Sequence, residues 1–216
     1  MQVLPRNVNG RLSRNGGKSS VQSSQPDSIP GALATLEGQI REIYGRVVYS
    51  HKTHEKCADL LLRRLTHLRL TQIILSALTT AGFLGAFFAQ ESKIASFLGM
   101  VISTILLCIN SYTKDYDLGQ LAQRHRDAAN SLWYLRESFQ SLLVDIATKE
   151  TDVIELQTRR DRLIDDLRDA YKNAPSTNSL AYKKAQEALK IKEDLTFNDV
   201  EIDAFLPKEL RRTLRV

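Results

Sequence analysis

The densest grouping of reactive side chains in the chain is HKTHE, in which His51, His54 and Glu55 fall on neighbouring positions of one helical stretch. Imidazole and carboxylate together can hold zinc, but the order matches none of the zinc-protease motifs, and a stable site needs a third or fourth ligand. No metal is assigned, and the group reads as a polar patch that is either solvated or turned toward a helical seam. His125 belongs with it, because His54 and His125 both occupy slots of an apolar repeat where Leu or Ile would pack better. Such a layer either responds to pH, since imidazole titrates near neutrality, or is a hydrogen-bonded polar layer that specifies which faces pair. Cys57 and Cys108 fall at different depths and imply no disulfide framework. There is no phosphate-cradling glycine loop, no nucleophile elbow and no Cys or His set at metal spacing, so no catalytic residue and no cofactor is assigned, and the chain reads as a non-enzyme.

The scaffold that must position these residues is built around two uncharged runs. Leu70 to Gln90 is 21 residues without a charge and Ile94 to Thr113 is 20, with only Glu91, Ser92 and Lys93 between them. Roughly 20 helical residues at about 1.5 Å each cross a hydrocarbon core of about 30 Å, so both runs span and the three polar residues make a tight turn. Residues 70–113 therefore read as a transmembrane hairpin, with spans at 70–90 and 94–113. The whole-chain mean hydropathy of −0.26 hides it by averaging. The competing reading, a soluble bundle with a buried central hairpin, suits uncharged runs of about 10–14 residues better than these.

Arg63, Arg64, His67 and Arg69 precede the first span and Lys114, Arg124 and Arg126 follow the second, while the tip sets Glu91 against Lys93. Both termini are thus expected in the cytoplasm. Met1 to Pro30 lacks a signal-peptide apolar core and is too polar to bury enough surface to order, so residues 1–30 read as a disordered basic tail. The net charge of +5 resides in the N-terminal part, where residues 1–69 carry 11 Lys or Arg against 5 Asp or Glu; residues 114–216 carry 18 against 19. Beside a membrane this excess suits anionic headgroups, at about 1 kcal/mol per basic residue near the surface, better than nucleic acid. The expected partner is the lipid bilayer, and no nucleic acid.

From Leu33 the positions Leu36, Ile40, Ile43, Val47, Ser50, His54, Cys57, Leu61 and Leu68 keep a three-four spacing that runs into the first span, predicting one long helix over residues 31–69 softened by Gly38 and Gly45. After the second span, Leu118, Leu121, His125, Ala128, Leu132, Leu135, Phe139, Leu142 and Ile146 repeat the pattern over about four heptads, a coiled-coil seam. The spans should therefore continue as a cytoplasmic stalk. Projecting straight helices from the tip sets residues whose numbers sum to about 184 at one height, with His125 near Asp59 and His54 near Asn130.

Residues 114–174 include a further helix with Thr151 as N-cap, Asp152 and Glu155 in its first turn, and Val153, Leu156, Leu163, Leu167 and Ala170 on the face folded back onto the stalk. Residues 175–216 hold short helices and a basic tail. Pro175 breaks the chain before an amphipathic stretch using Tyr182, Ala185 and Leu189, and Asn198, Glu201 and the Phe197/Ile202 pair mark a capping box with a hydrophobic staple. The fold class is an all-α membrane protein.

Within the spans, Ala77, Ala81, Gly85 and Ala89 recur every four positions, as do Ala95, Gly99 and Ser103, the small-residue spacing by which membrane helices approach closely. That packing is either within the hairpin or between subunits. Gln72, Ser76, Thr79 and Thr80 in the first span and Ser96, Ser103 and Asn110 in the second offer hydrogen-bonding groups, either to one another or to a pore assembled from several hairpins. No Asp, Glu, Lys, Arg or His lies in either span, which disfavours coupled transport.

The segment IYGRVVYSHKTHEKCADLLLRR (Ile43 to Arg64), the paired spans, the amphipathic stretch Lys114 to Ile146 and the ending AYKKAQEALKIKEDLTFNDVEIDAFLP (Ala181 to Pro207) together resemble the SLATT domain. This is a two-transmembrane effector family associated with SMODS nucleotidyltransferases and SLOG nucleotide-sensing domains in prokaryotic conflict systems. The resemblance implies a membrane effector in antiviral defence, a homo-oligomer that perturbs or perforates the cell's own membrane when a separate partner makes or senses a nucleotide signal. It implies no catalytic residue. The reading from another class is a membrane-anchored scaffold whose seam recruits a soluble partner.

Overall fold

The computed structural model describes residues 29–88, 93–208 and 211–212, and within them the chain is helical with no strand. The tail expected over residues 1–30 lies, but for its last two residues, outside the described residues. Helix α1 (Ile29–Phe88) is continuous for 60 residues. No proline interrupts it after Pro30, and Gly38 and Gly45 do not break it, because apolar contacts on one side persist past both. Helix α2 (Lys93–Asp115) returns antiparallel along its upper part.

A short break then separates α2 from α3 (Leu118–Thr148). The Asp117 side chain accepts from the Gln120 N–H at 2.8 Å and so caps the new helix. Lys149 ends α3 in the left-handed conformation, φ 58°. Helix α4 (Val153–Asn173) folds back against α3, as the sequence predicts, but its N-cap is Asp152 rather than Thr151. Asp152 is the last residue with extended backbone, ψ 141°, which places Thr151 one position outside the helix.

Ten buried residues form the core of this stalk. Leu36, Ile40, Ile43 and Val47 of α1 meet Leu132, Leu135, Phe139, Leu142 and Ile146 of α3 and Leu156 of α4, with Leu163, Leu167 and Ala170 packed against them. One predicted seam slot differs: Leu121 is exposed and Ala122 is buried in its place. The four-three step from Leu118 through Ala122 to His125 keeps the row on one face just after the break, where a small side chain suits the approach to α1.

Helix α5 (Ser179–Lys190) crosses α1, with the Asn178 side chain accepting from the Ala181 N–H. Its buried face is Ala181, Ala185 and Ala188, whereas Tyr182 is half exposed. The predicted Tyr182–Ala185–Leu189 face is rotated because three alanines on one stripe let two helix backbones approach closely. Helix α6 (Asp199–Phe205) carries the predicted capping box in full: Asn198 accepts from the Glu201 N–H, and Glu201 accepts from the Asn198 N–H.

Candidate functional site

Two polar constellations stand out, one in the stalk and one in the hairpin. In the stalk, His54 Nδ1 lies 2.9 Å from His125 Nδ1 with the rings tilted at 5.1 Å. A bond between two like nitrogens requires one ring to donate from a protonated Nδ1 and the other to accept on a bare Nδ1 with its proton on Nε2, so the accepting ring is neutral. Burial, then the neighbouring His125 and His51, push His54 down to about 4. Burial likewise lowers His125 and His51, the latter against the raising effect of Glu55. The expected heights are corrected here: His54 meets His125 and not Asn130, their numbers summing to 179, although Tyr44 and Gln140, 3.5 Å apart, keep the projected 184. A straight-helix projection carried through the break at Tyr116 and Asp117 fixes height only to within about a turn.

The HKTHE group is likewise partitioned. His51 Nε2 lies 3.6 Å from Glu55 Oε1 while His54 turns to α3, and no set of three His, Cys, Asp or Glu able to hold a metal occurs among the described residues. Lys52 is buried and bridges Glu55 at 2.9 Å and Asp194 at 3.1 Å. Burial pulls its ammonium down, but the two carboxylates outweigh this and raise it, and the Lys52 hydrogen bond holds Asp194 below the usual carboxylate range. This clamp of the loop after α5 onto α1 has no sequence signal, since it joins residues far apart in the chain. Cys57 is buried with Asn178 Nδ2 3.9 Å from its sulfur, and burial pushes its thiol up, so it is an inert packing group.

In the hairpin, the half-buried positions Leu65, Leu68, Gln72, Leu75 and Thr79 of α1 face Gly99, Ile102, Leu106, Ile109 and Thr113 of α2. Gln72 Nε2 donates to Asn110 Oδ1 at 2.9 Å and to Thr113 Oγ1 at 3.2 Å. Thr113 was no part of the predicted set, yet Gln72 and Thr113 fall at one height in the projection, so the arithmetic pointed to it. Thr79 and Thr80 donate to the Leu75 and Ser76 carbonyls of their own helix. Ser76, Thr80, Ser96, Ser103 and Asn110 are exposed. Counting about 100° per residue, all five lie about 60–100° from the row that faces the other helix. Because the two helices run antiparallel, the same rotational sense on each puts both sets on one edge of the hairpin. Arg64 over the Tyr112 ring at 5.5 Å marks the opposite edge.

The small-residue ladders do not close the hairpin. Ala77, Ala81 and Gly85 are exposed and centre about 160° from the α2-facing row. Ala95 is exposed, Ala89 lies outside the described residues, and a Cβ on Gly85 or Gly99 would meet nothing within 4 Å. Of the ladders only Gly99 falls in the facing row, and the rest of the α1–α2 contact is made mainly by Leu and Ile beside Gln72, Thr79 and Thr113. The most apolar stretches of both helices are wholly unburied, as they are not in a soluble bundle whose hairpin forms its core.

No curated protein and no solved structure matches the chain. A family model does, over residues 36–201, which takes in the seam, both spans, α3 to α5 and the start of α6. The two long unburied apolar helices are what the description of that family requires, and the chain belongs to the SMODS and SLOG-associating 2TM effector domain family 4.

Proposed function

We propose that this chain is a membrane effector of a prokaryotic antiviral conflict system that assembles as a homo-oligomer and opens a pore in the bacterial inner membrane. The observation that carries this reading is the polar edge of the hairpin. Ser76, Thr80, Ser103 and Asn110 are exposed at membrane depth on one edge of a two-span unit that cannot by itself enclose water. In lipid, such groups want partners, and in a ring of hairpins they line the interior. The opposite placement of Ala77, Ala81 and Gly85 leaves a smooth face of the kind along which membrane helices of neighbouring subunits pack.

The cationic flanks Arg63, Arg64, Arg69 and Lys114 support a cytoplasmic location for both termini and the stalk. There the stalk receives the signal, and the family's association with SMODS and SLOG proteins supports reading that signal as a nucleotide supplied or sensed by a separate partner. Purified full-length protein reconstituted into dye-loaded liposomes is expected to release dye on oligomerisation or activation. Absence of release in every oligomeric state removes the pore.

A scaffold reading has its own observation, since Trp133 and Tyr134 are 50% and 64% exposed on the outer face of α3. Aromatic side chains left in water suit a protein partner. Exchanging the hairpin for an unrelated two-span anchor separates the two readings, because a scaffold keeps its activity and a pore loses it.

A further inference from the structure

We infer that the hairpin edge formed by Arg69, Asn110 and Lys114 is an anion site, so that the pathway it lines passes small inorganic anions in preference to cations. This rests on the pore reading above and adds the sign of the permeant ion to it.

The chemistry follows from one hydroxyl. The Thr113 side chain donates its single proton within its own helix, to the Ile109 carbonyl at 3.0 Å or the Asn110 carbonyl at 3.1 Å. It therefore has only lone pairs left for Gln72, so Gln72 must present its amide N–H2 to it. The same N–H2 reaches Asn110, which must answer with its carbonyl oxygen. Asn110 is thereby oriented: its oxygen is committed to Gln72, and its own two N–H donors are left for the exposed edge. A threonine hydroxyl at the last position of the second span thus decides that the edge offers donors there rather than acceptors.

Charge placement agrees. Arg69 and Lys114 are exposed at one height, by the same spacing that brings Gln72 to Asn110 and Thr113. Counting about 100° per residue, both lie within about 80–100° of their helices' contact row, on the Asn110 edge. The other charges nearby are elsewhere: Arg64 sits over Tyr112 on the opposite edge, Asp115 falls about 160° round α2, and Asp117 is engaged as the cap of α3. Two cations side by side, one turn below an oriented amide donor, repel each other and attract an anion. Rings of Arg or Lys are how anion pores select, and a homo-oligomer multiplies the pair by its subunit number.

The test is ion selectivity of the full-length protein in planar bilayers of neutral phosphatidylcholine under a potassium chloride gradient. The reversal potential is expected on the chloride side. Arg69→Gln with Lys114→Gln, which leaves Arg63 and Arg64 to hold orientation, lowers the chloride-to-potassium permeability ratio by about fivefold per cation removed. Arg69→Lys with Lys114→Arg keeps the ratio and controls for folding and insertion. Asn110→Leu lowers chloride conductance. A potassium-selective parent, or an unchanged ratio in the double glutamine variant, overturns the anion site and leaves the pore standing. Absence of current from oligomers shown by cross-linking to be inserted overturns the pore reading and this inference together.

Discussion

The lower and upper halves of α1 belong to one helix and bury opposite kinds of surface. Below Arg63 the helix keeps Leu36, Ile40, Ile43 and Val47 dry against α3 and α4 and exposes charges such as Glu37, Arg41, Glu42 and Arg46. Above Leu70 it exposes Ile73, Ile74, Leu78 and Phe83, and the row it turns toward its neighbour, Gln72, Leu75 and Thr79, is mixed and includes the polar bond donor Gln72. The inversion teaches which solvent each half meets. Water drives the stalk together by apolar burial, whereas lipid offers no such drive and leaves polar groups and shape to hold helices. The polar residues invert with it: His54 and His125 are a polar interruption of a dry seam, while Gln72, Asn110 and Thr113 are the specific bonds of the hairpin.

If that contrast is real, cavities should be felt in the stalk alone. Phe139→Ala, at a fully buried core position, should cost about 3–5 kcal/mol and lower the melting temperature of the stalk while the spans stay helical in detergent, read by thermal circular dichroism. Equal loss of helix in both halves would break the comparison.

Acid should likewise act on the stalk. With His54 at about 4 against an ordinary 6.5, the folded state resists protonation that the unfolded state accepts. Stability is therefore full above about pH 6.5 and falls as pH drops toward 4, by about 2–3 kcal/mol. His51, itself held down mainly by burial, adds to the lowering of His54 and so to this fall. Joint His54→Leu and His125→Leu substitution should flatten the profile, whereas either alone strands its partner at a cost of about 1–3 kcal/mol, measured by denaturant unfolding across pH.

In the hairpin the corresponding probe is Gln72→Leu, which removes two interhelical bonds and should weaken α1–α2 pairing by about 1 kcal/mol, read by crosslinking of paired cysteines in micelles. The smallest effect belongs to Gly99→Ala. Its added methyl meets open space, so pairing should be unchanged within about 0.5 kcal/mol in the same assay. A large loss there would restore the close-packed hairpin that the glycine spacing suggests.

Much of the architecture was legible from residues alone, because the signals are local. An uncharged run of about 20 residues is a statement about length and solvent that no neighbour can change. The cap at Asn198 and Glu201 is equally local, and so is the α3 repeat from Ala128 to Ile146, which is buried at each of its apolar positions. The sequence singles out His54, His125, Gln72 and Asn110, but neither Thr113 nor which residue bonds to which.

What tertiary structure decided is every question of facing. The break at Tyr116 and Asp117 brought His54 to His125, the α5 crossing buried alanines in place of Tyr182, and Lys52 found Asp194 across 142 positions of chain. In the spans, sequence spacing could not say whether small residues or Leu and Ile would meet, since both rows have the same period. The rotation of two helices about their axes resolves it, and that rotation shows only in the contacts between them, among them the Gln72 bonds to Asn110 and Thr113.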